Sequence, residues 1–126
     1  MVKDNRSVAI IDDDGGLRTA LKRLLAAKGY GTELFSSSEE FLSASTSTEA
    51  GCLIIDIQLP GASGIELSQL LKEKGVDLPT IFITASQDPR IRSEALKIGC
   101  VAYLRKPFPP RQLLAAIELA LGKTGV

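Results

Sequence analysis

Short apolar runs alternate with amphipathic stretches along the chain. Val8-Ala9-Ile10-Ile11 reads as a buried strand that breaks off into Asp12-Asp13-Asp14. Behind Gly15-Gly16, Leu17, Ala20, Leu21, Leu24 and Leu25 recur at helical spacing until Gly29 ends the run. Thr32 to Phe35 is a short second strand. Ser38 is placed to cap a helix carrying Phe41 and Leu42, with Glu39 and Glu40 at its positive end. The small, polar stretch from Ser43 to Gly51 reads as a helix end and a loop.

Cys52-Leu53-Ile54-Ile55-Asp56-Ile57 is the second strongly apolar strand, again closed by a carboxylate. Pro60 and Gly61 predict a loop, and Ile65, Leu67, Leu70 and Leu71 mark the next helix. Gly75 and Pro79 punctuate the chain before a fourth strand, Thr80-Ile81-Phe82-Ile83-Thr84. Pro89 suits a helix start, and Ile91, Ala95, Leu96 and Ile98 share one face until Gly99. Val101 to Leu104 is the fifth strand, followed by Arg105-Lys106-Pro107. The last helix runs from Pro109 through Leu113, Leu114, Ile117 and Leu121 to Gly122. With no internal repeat, residues 1–126 read as one domain with its core at about 7–121.

Five strands alternating with five helices call for an α/β fold, a parallel sheet covered on both faces. Right-handed crossovers with one change of winding direction make it doubly wound. In such sheets ligands bind past the carboxyl ends of the strands, at the switch point. The strand ends are therefore the place to look for chemistry.

Composition narrows the choices. Of 126 residues, 44% are hydrophobic and 5% aromatic with no Trp, so a single aliphatic core is expected. Fifteen basic and fifteen acidic residues cancel, which speaks against direct nucleic-acid binding and gives an anionic membrane little to attract. No apolar run nears the ~20 residues of a membrane span, and Met1 to Arg6 lacks a signal peptide's apolar core. A cytoplasmic protein is expected, with Cys52 and Cys100 as reduced core cysteines. The absence of His removes the commonest general base and a common metal ligand. The tail from Gly122 to Val126 fits a natural end and the start of a linker equally well.

Four polar features stand at strand ends: Asp12-Asp13-Asp14, Asp56, Thr84 and Lys106. Singly, the Asp cluster could cap the first helix, Thr84 could cap a loop, and Lys106 could be a solvated charge. Asp56 is harder to dismiss, because a carboxylate closing an aliphatic strand is desolvated unless something pairs with it. If the first and third strands are neighbours, Asp12, Asp13 and Asp56 converge. Carboxylates about 4 Å apart repel by on the order of 4 kcal/mol at an effective dielectric near 20, so a cation is needed. A hard dication such as Mg²⁺ suits oxygen ligands, the Lys106 ammonium suits a phosphate oxygen, and Thr84 adds a hydroxyl. Carboxylate, dication, ammonium and hydroxyl together form a phosphoryl-transfer set.

The motifs carrying these residues are Ile10-Ile11-Asp12-Asp13-Asp14 and Leu53-Ile54-Ile55-Asp56-Ile57-Gln58-Leu59-Pro60-Gly61-Ala62-Ser63-Gly64. Ile81-Phe82-Ile83-Thr84-Ala85 and Tyr103-Leu104-Arg105-Lys106-Pro107-Phe108 follow. In this order and spacing they resemble the response-regulator receiver domain of bacterial two-component signalling, with a leaning toward FixJ-like receivers. The resemblance implies a flavodoxin-like sheet of order 2-1-3-4-5 and a phosphorylation-activated switch. It implies that Asp56 accepts a phosphoryl group from a histidine kinase or phosphotransfer protein. Asp13, Asp56 and the backbone carbonyl of Gln58 would hold Mg²⁺ (or Mn²⁺) directly, and Asp12 largely through water. Lys106 would bind a phosphoryl oxygen and precede a cis proline. Thr84 and Tyr103 would form the switch pair, with the fourth helix, fifth strand and fifth helix as output face and as the surface for homodimerisation. Gln58 and Ser86 occupy positions that tune water access in the family. DNA binding would belong to a further C-terminal domain, and slow self-dephosphorylation would be the only other catalysis. Two rival readings remain at this level. One is a haloacid-dehalogenase-type phosphatase with Asp12 as nucleophile in Asp12-Asp13-Asp14. The other is an interaction module that is never phosphorylated.

Overall fold

The apolar runs become strands and the amphipathic stretches become helices. The computed structural model describes residues 6–45 and 47–122. Met1 to Asn5 and Lys123 to Val126, on which the leader and linker readings largely rest, lie outside the described residues. The strands are β1 (Ser7–Ile11), β2 (Gly31–Phe35), β3 (Cys52–Asp56), β4 (Thr80–Thr84) and β5 (Ala102–Arg105). The helices are α1 (Gly15–Ala27), α2 (Ser38–Ala44), α3 (Gly64–Glu73), α4 (Pro89–Ile98) and α5 (Pro110–Gly122). All strands are parallel, in the order β2-β1-β3-β4-β5 expected from the resemblance.

Strand alternation sorts the core into two layers. Val8, Ile10, Cys52, Ile54, Ile81 and Ile83 point to one face, where Leu21 and Leu25 of α1 and Leu113 and Ile117 of α5 cover them. Ala9, Ile11, Leu53, Ile55 and Phe82 point to the other, against Phe41, Leu67, Leu71 and Ala95 of α2, α3 and α4. Both faces being covered, β1, β3 and β4 read as continuous apolar runs rather than alternating ones. The winding direction reverses between β1 and β3, so the crevice at their carboxyl ends is bordered by Asp12 and Asp56.

Several local expectations need correction. Ser37, not Ser38, caps α2, its side chain accepting from the Glu40 N–H. Ser38 is buried and donates to the Ala62 carbonyl at 2.9 Å, because it faces the β3–α3 loop instead of the helix end. The α5 helix begins at Pro110 rather than Pro109, and β5 lies one residue later than read. Cys52 is a core thiol that burial pushes up to about 12, but Cys100 is only half-buried and sits at the end of α4. The bond between Lys106 and Pro107 is cis, as expected.

Candidate functional site

Asp12 is the first residue past β1, and its N–H donates to the Phe35 carbonyl at 3.0 Å, which fixes it at the sheet's end. Its side chain is wholly buried. One oxygen, Oδ1, accepts the Asp14 N–H at 2.9 Å, and the other, Oδ2, accepts Lys106 Nζ at 2.9 Å. Arg18, on the first turns of α1, donates to the Asp12 carbonyl at 2.6 Å. Asp14 is the helix cap, accepting the Leu17 N–H, so the bland reading of the cluster holds for that one member. Asp13, between them, is exposed.

Asp56 ends β3 and is 4% exposed. Its Oδ1 accepts the Gln58 N–H at 3.0 Å and its Oδ2 accepts Lys106 Nζ at 3.1 Å. The loop beyond it is held in two places. Ser38 and Glu39 of α2 grip Ala62 through its carbonyl and its N–H, and Ser63 with Glu66 forms a capping box at the start of α3. Gly64 then packs α3 directly on β3: a Cβ there would lie 2.4 Å from the Asp56 carbonyl oxygen.

Lys106 reaches the site from the end of β5, where its N–H donates to the Thr84 carbonyl at 2.8 Å. Its ammonium thus bridges two carboxylates that stand on neighbouring strands. Burial pulls Lys106 down, but its hydrogen bonds to Asp12 and Asp56 and their charges outweigh that, and its pKa is raised. Burial pushes the Asp56 carboxyl up, and Asp12 adds to this, against the opposing pull of Lys106. The two directions are consistent: the ammonium gains from two carboxylates, while Asp56 shares that one ammonium and feels the Asp12 charge.

Oxygen atoms of Asp12, Asp13 and Asp56 all lie within 4.8 Å of one another. Three carboxylates and one ammonium leave two formal negative charges, which is the deficit a hard dication neutralises. The donor set is all oxygen, with one member exposed and two buried, so the residues fit Mg²⁺.

Thr84 is wholly buried at the end of β4, next to β3. Its oxygen accepts the Ser86 N–H at 3.0 Å, which realises the loop-capping role, while its hydroxyl donates to Gln58 Oε1 at 2.6 Å. Tyr103 pairs with Phe82 across β4 and β5. Its half-buried ring packs on the α2–α3–α4 layer, with the Arg92 guanidinium 5.9 Å from the ring centre.

All the residues singled out from the sequence except Tyr103 therefore meet at one end of the sheet. Sequence reasoning placed Gln58 near the site but missed its hydrogen bond to Thr84, the Arg18 contact and the close approach of Gly64. None of the three leaves a local signal: the chain bends directly after Asp56, and each contact depends on how separate segments come together.

Known proteins are similar to this chain in sequence and in fold. The family model for the response regulator receiver domain matches residues 8–118. The response regulator protein TodT of Pseudomonas putida is 39% identical over 95% of this chain and 53% of its own length. The transcriptional regulatory protein FixJ of Bradyrhizobium diazoefficiens is 37% identical over 90% of this chain and 56% of its own. The chain thus spans about half the length of these curated relatives. The crystal structure of FixJ-N superposes with a TM-score of 0.87 at 32% identity, covering 95% of this chain and 96% of that one.

Proposed function

The chain belongs to the response regulator receiver domain family, and on that premise we propose that Asp56 is its phosphoacceptor. Receiver domains are phospho-accepting switches rather than turnover enzymes. The observation that carries the assignment is the pair of bonds at Asp56: Lys106 holds one oxygen at 3.1 Å and the Gln58 N–H the other at 3.0 Å. Both groups orient the carboxylate at the mouth of the crevice.

The donor is a phosphohistidine on a histidine kinase or phosphotransfer protein. A lone pair of an Asp56 oxygen forms the new O–P bond while the N–P bond breaks, its electron pair returning to the donor's imidazole. Lys106 neutralises the phosphoryl oxygens as charge accumulates on them. Asp12, Asp13, Asp56 and the Gln58 carbonyl would hold Mg²⁺ or Mn²⁺, which when bound supplies the remaining charge neutralisation. The Thr84 hydroxyl then turns to a phosphoryl oxygen, and the Tyr103 ring follows it inward. Slow hydrolysis of the acyl phosphate resets the domain.

An apolar cleft beside Lys106, walled by Leu17, Leu21, Leu24, Pro107 and Phe108, is where we place the donor protein. The output face is α4–β5–α5. Leu96 on α4 and Leu119 on α5 are 53% and 54% exposed, and they suit homodimerisation after phosphorylation. By analogy with the longer relatives, the domain controls a C-terminal DNA-binding domain in the cytoplasm. It acts as one receiver unit, with its core at about 7–121.

Acetyl phosphate with Mg²⁺ tests the assignment. The parent chain is expected to take up one phosphoryl group on Asp56 and Asp56→Asn none. Equal labelling of the variant sinks the assignment, and label on Asp12 would favour the phosphatase reading.

A further inference from the structure

The hydrogen bonds around Thr84 contain a conflict that phosphorylation must resolve. Gln58 touches both participants: its N–H donates to Asp56 Oδ1 at 3.0 Å, and its Oε1 accepts the Thr84 hydroxyl at 2.6 Å. A threonine hydroxyl carries one proton, and here that proton belongs to Gln58. The Ser86 N–H is no competitor, since it donates to the Thr84 oxygen at 3.0 Å and uses a lone pair. Phosphoryl oxygens on Asp56 would be acceptors only. They engage Thr84 only by taking its proton away from Gln58.

We propose that the Gln58 side chain is a latch that holds the Thr84 hydroxyl in the unphosphorylated arrangement and so sets the threshold of the switch. This rests on the reading of Asp56 as phosphoacceptor and Thr84 as its partner. Gln58 is a positioning residue here, acting through Thr84. Gln58 is exposed while Thr84 is wholly buried, which makes the latch releasable. On release the carboxamide is hydrated by solvent, whereas the buried hydroxyl must find another acceptor inside the site. The phosphoryl group is that acceptor. The cost of opening is thus confined to exchanging one hydrogen bond for another, small enough for a ligand to reverse and large enough to bias the resting population.

The test uses beryllofluoride with saturating Mg²⁺ as a phosphoryl mimic, its affinity measured by isothermal titration calorimetry. Because this ligand reports an equilibrium, any effect of residue 58 on acyl-phosphate hydrolysis does not enter. Gln58→Met keeps the length of the side chain and removes the acceptor, and Gln58→Ala removes both. Each is expected to bind roughly three- to tenfold more tightly than the parent. In a Thr84→Val background, where there is no proton to hold, Gln58→Met is expected to change nothing. Unchanged or weaker binding by both single variants overturns the latch, as does a gain that persists with Val at position 84. A parent chain that binds no beryllofluoride instead removes the phosphoacceptor reading, and the latch with it.

Discussion

A single carboxylate carries much of the tension in this molecule. Burial and the neighbouring Asp12 push the Asp56 carboxyl above its ordinary 3.8, with Lys106 opposing. A carboxyl raised in the folded state favours the protonated form, so its contribution to stability is present below about pH 4 and lost as pH rises through the folded value. At neutral pH the ionised Asp56 therefore destabilises the fold. Asp56→Asn is expected to raise Tm in Mg²⁺-free buffer at pH 7.5, the gain shrinking as pH falls toward 4; thermal denaturation across that range checks it. Lys106 works on the opposite limb. Raised above 10.5, its ammonium contributes stability throughout the neutral range and loses it only in strong alkali.

Elements transmit this geometry through close contacts. The first residue of α3 lies so near β3 that any side chain at Gly64 strikes backbone: a Cβ would sit 2.4 Å from the Asp56 carbonyl and 2.9 Å from Ile57 Cα. Neither atom can swing aside as a side chain would. Gly64→Ala should cost about 1–3 kcal/mol or more of stability, and it should slow phosphorylation by displacing Asp56. Urea unfolding alongside acetyl phosphate labelling reads both. Much of this was legible in the chain's pattern. The apolar runs of β1, β3 and β4 and the Pro89 start of α4 lie where periodicity put them. The cap of α2 was misjudged between Ser37 and Ser38, because both are good caps and only the position of Ala62 decides which one turns inward.

For the whole molecule, function is a matter of charge balance and of the face opposite the change. Three clustered carboxylates against one ammonium predict that Mg²⁺ stabilises the fold by mass action, about 2.7 kcal/mol at a hundred times its Kd. Asp13→Asn should remove most of that Mg²⁺-dependent rise in Tm, because Asp13 is the exposed member of the set and has no share in the Lys106 ion pairs. Association is the second expectation at this scale. With beryllofluoride bound, the domain should sediment partly as a dimer, and Leu119→Arg should return it to monomer.

The order of apolar runs, their lengths and the residues that close them determined the sheet, its two covered faces and the acid, hydroxyl and amine at its carboxyl edge. These follow from the sequence alone because burial on both faces and helical periodicity are properties of neighbouring residues. Which oxygen bonds to which donor was decided by folding. Lys106 meets Asp12 and Asp56 across 94 and 50 residues, and the Thr84 proton goes to Gln58 across 26. Such choices depend on strand register and on the few ångströms between strand ends, distances that no local pattern encodes.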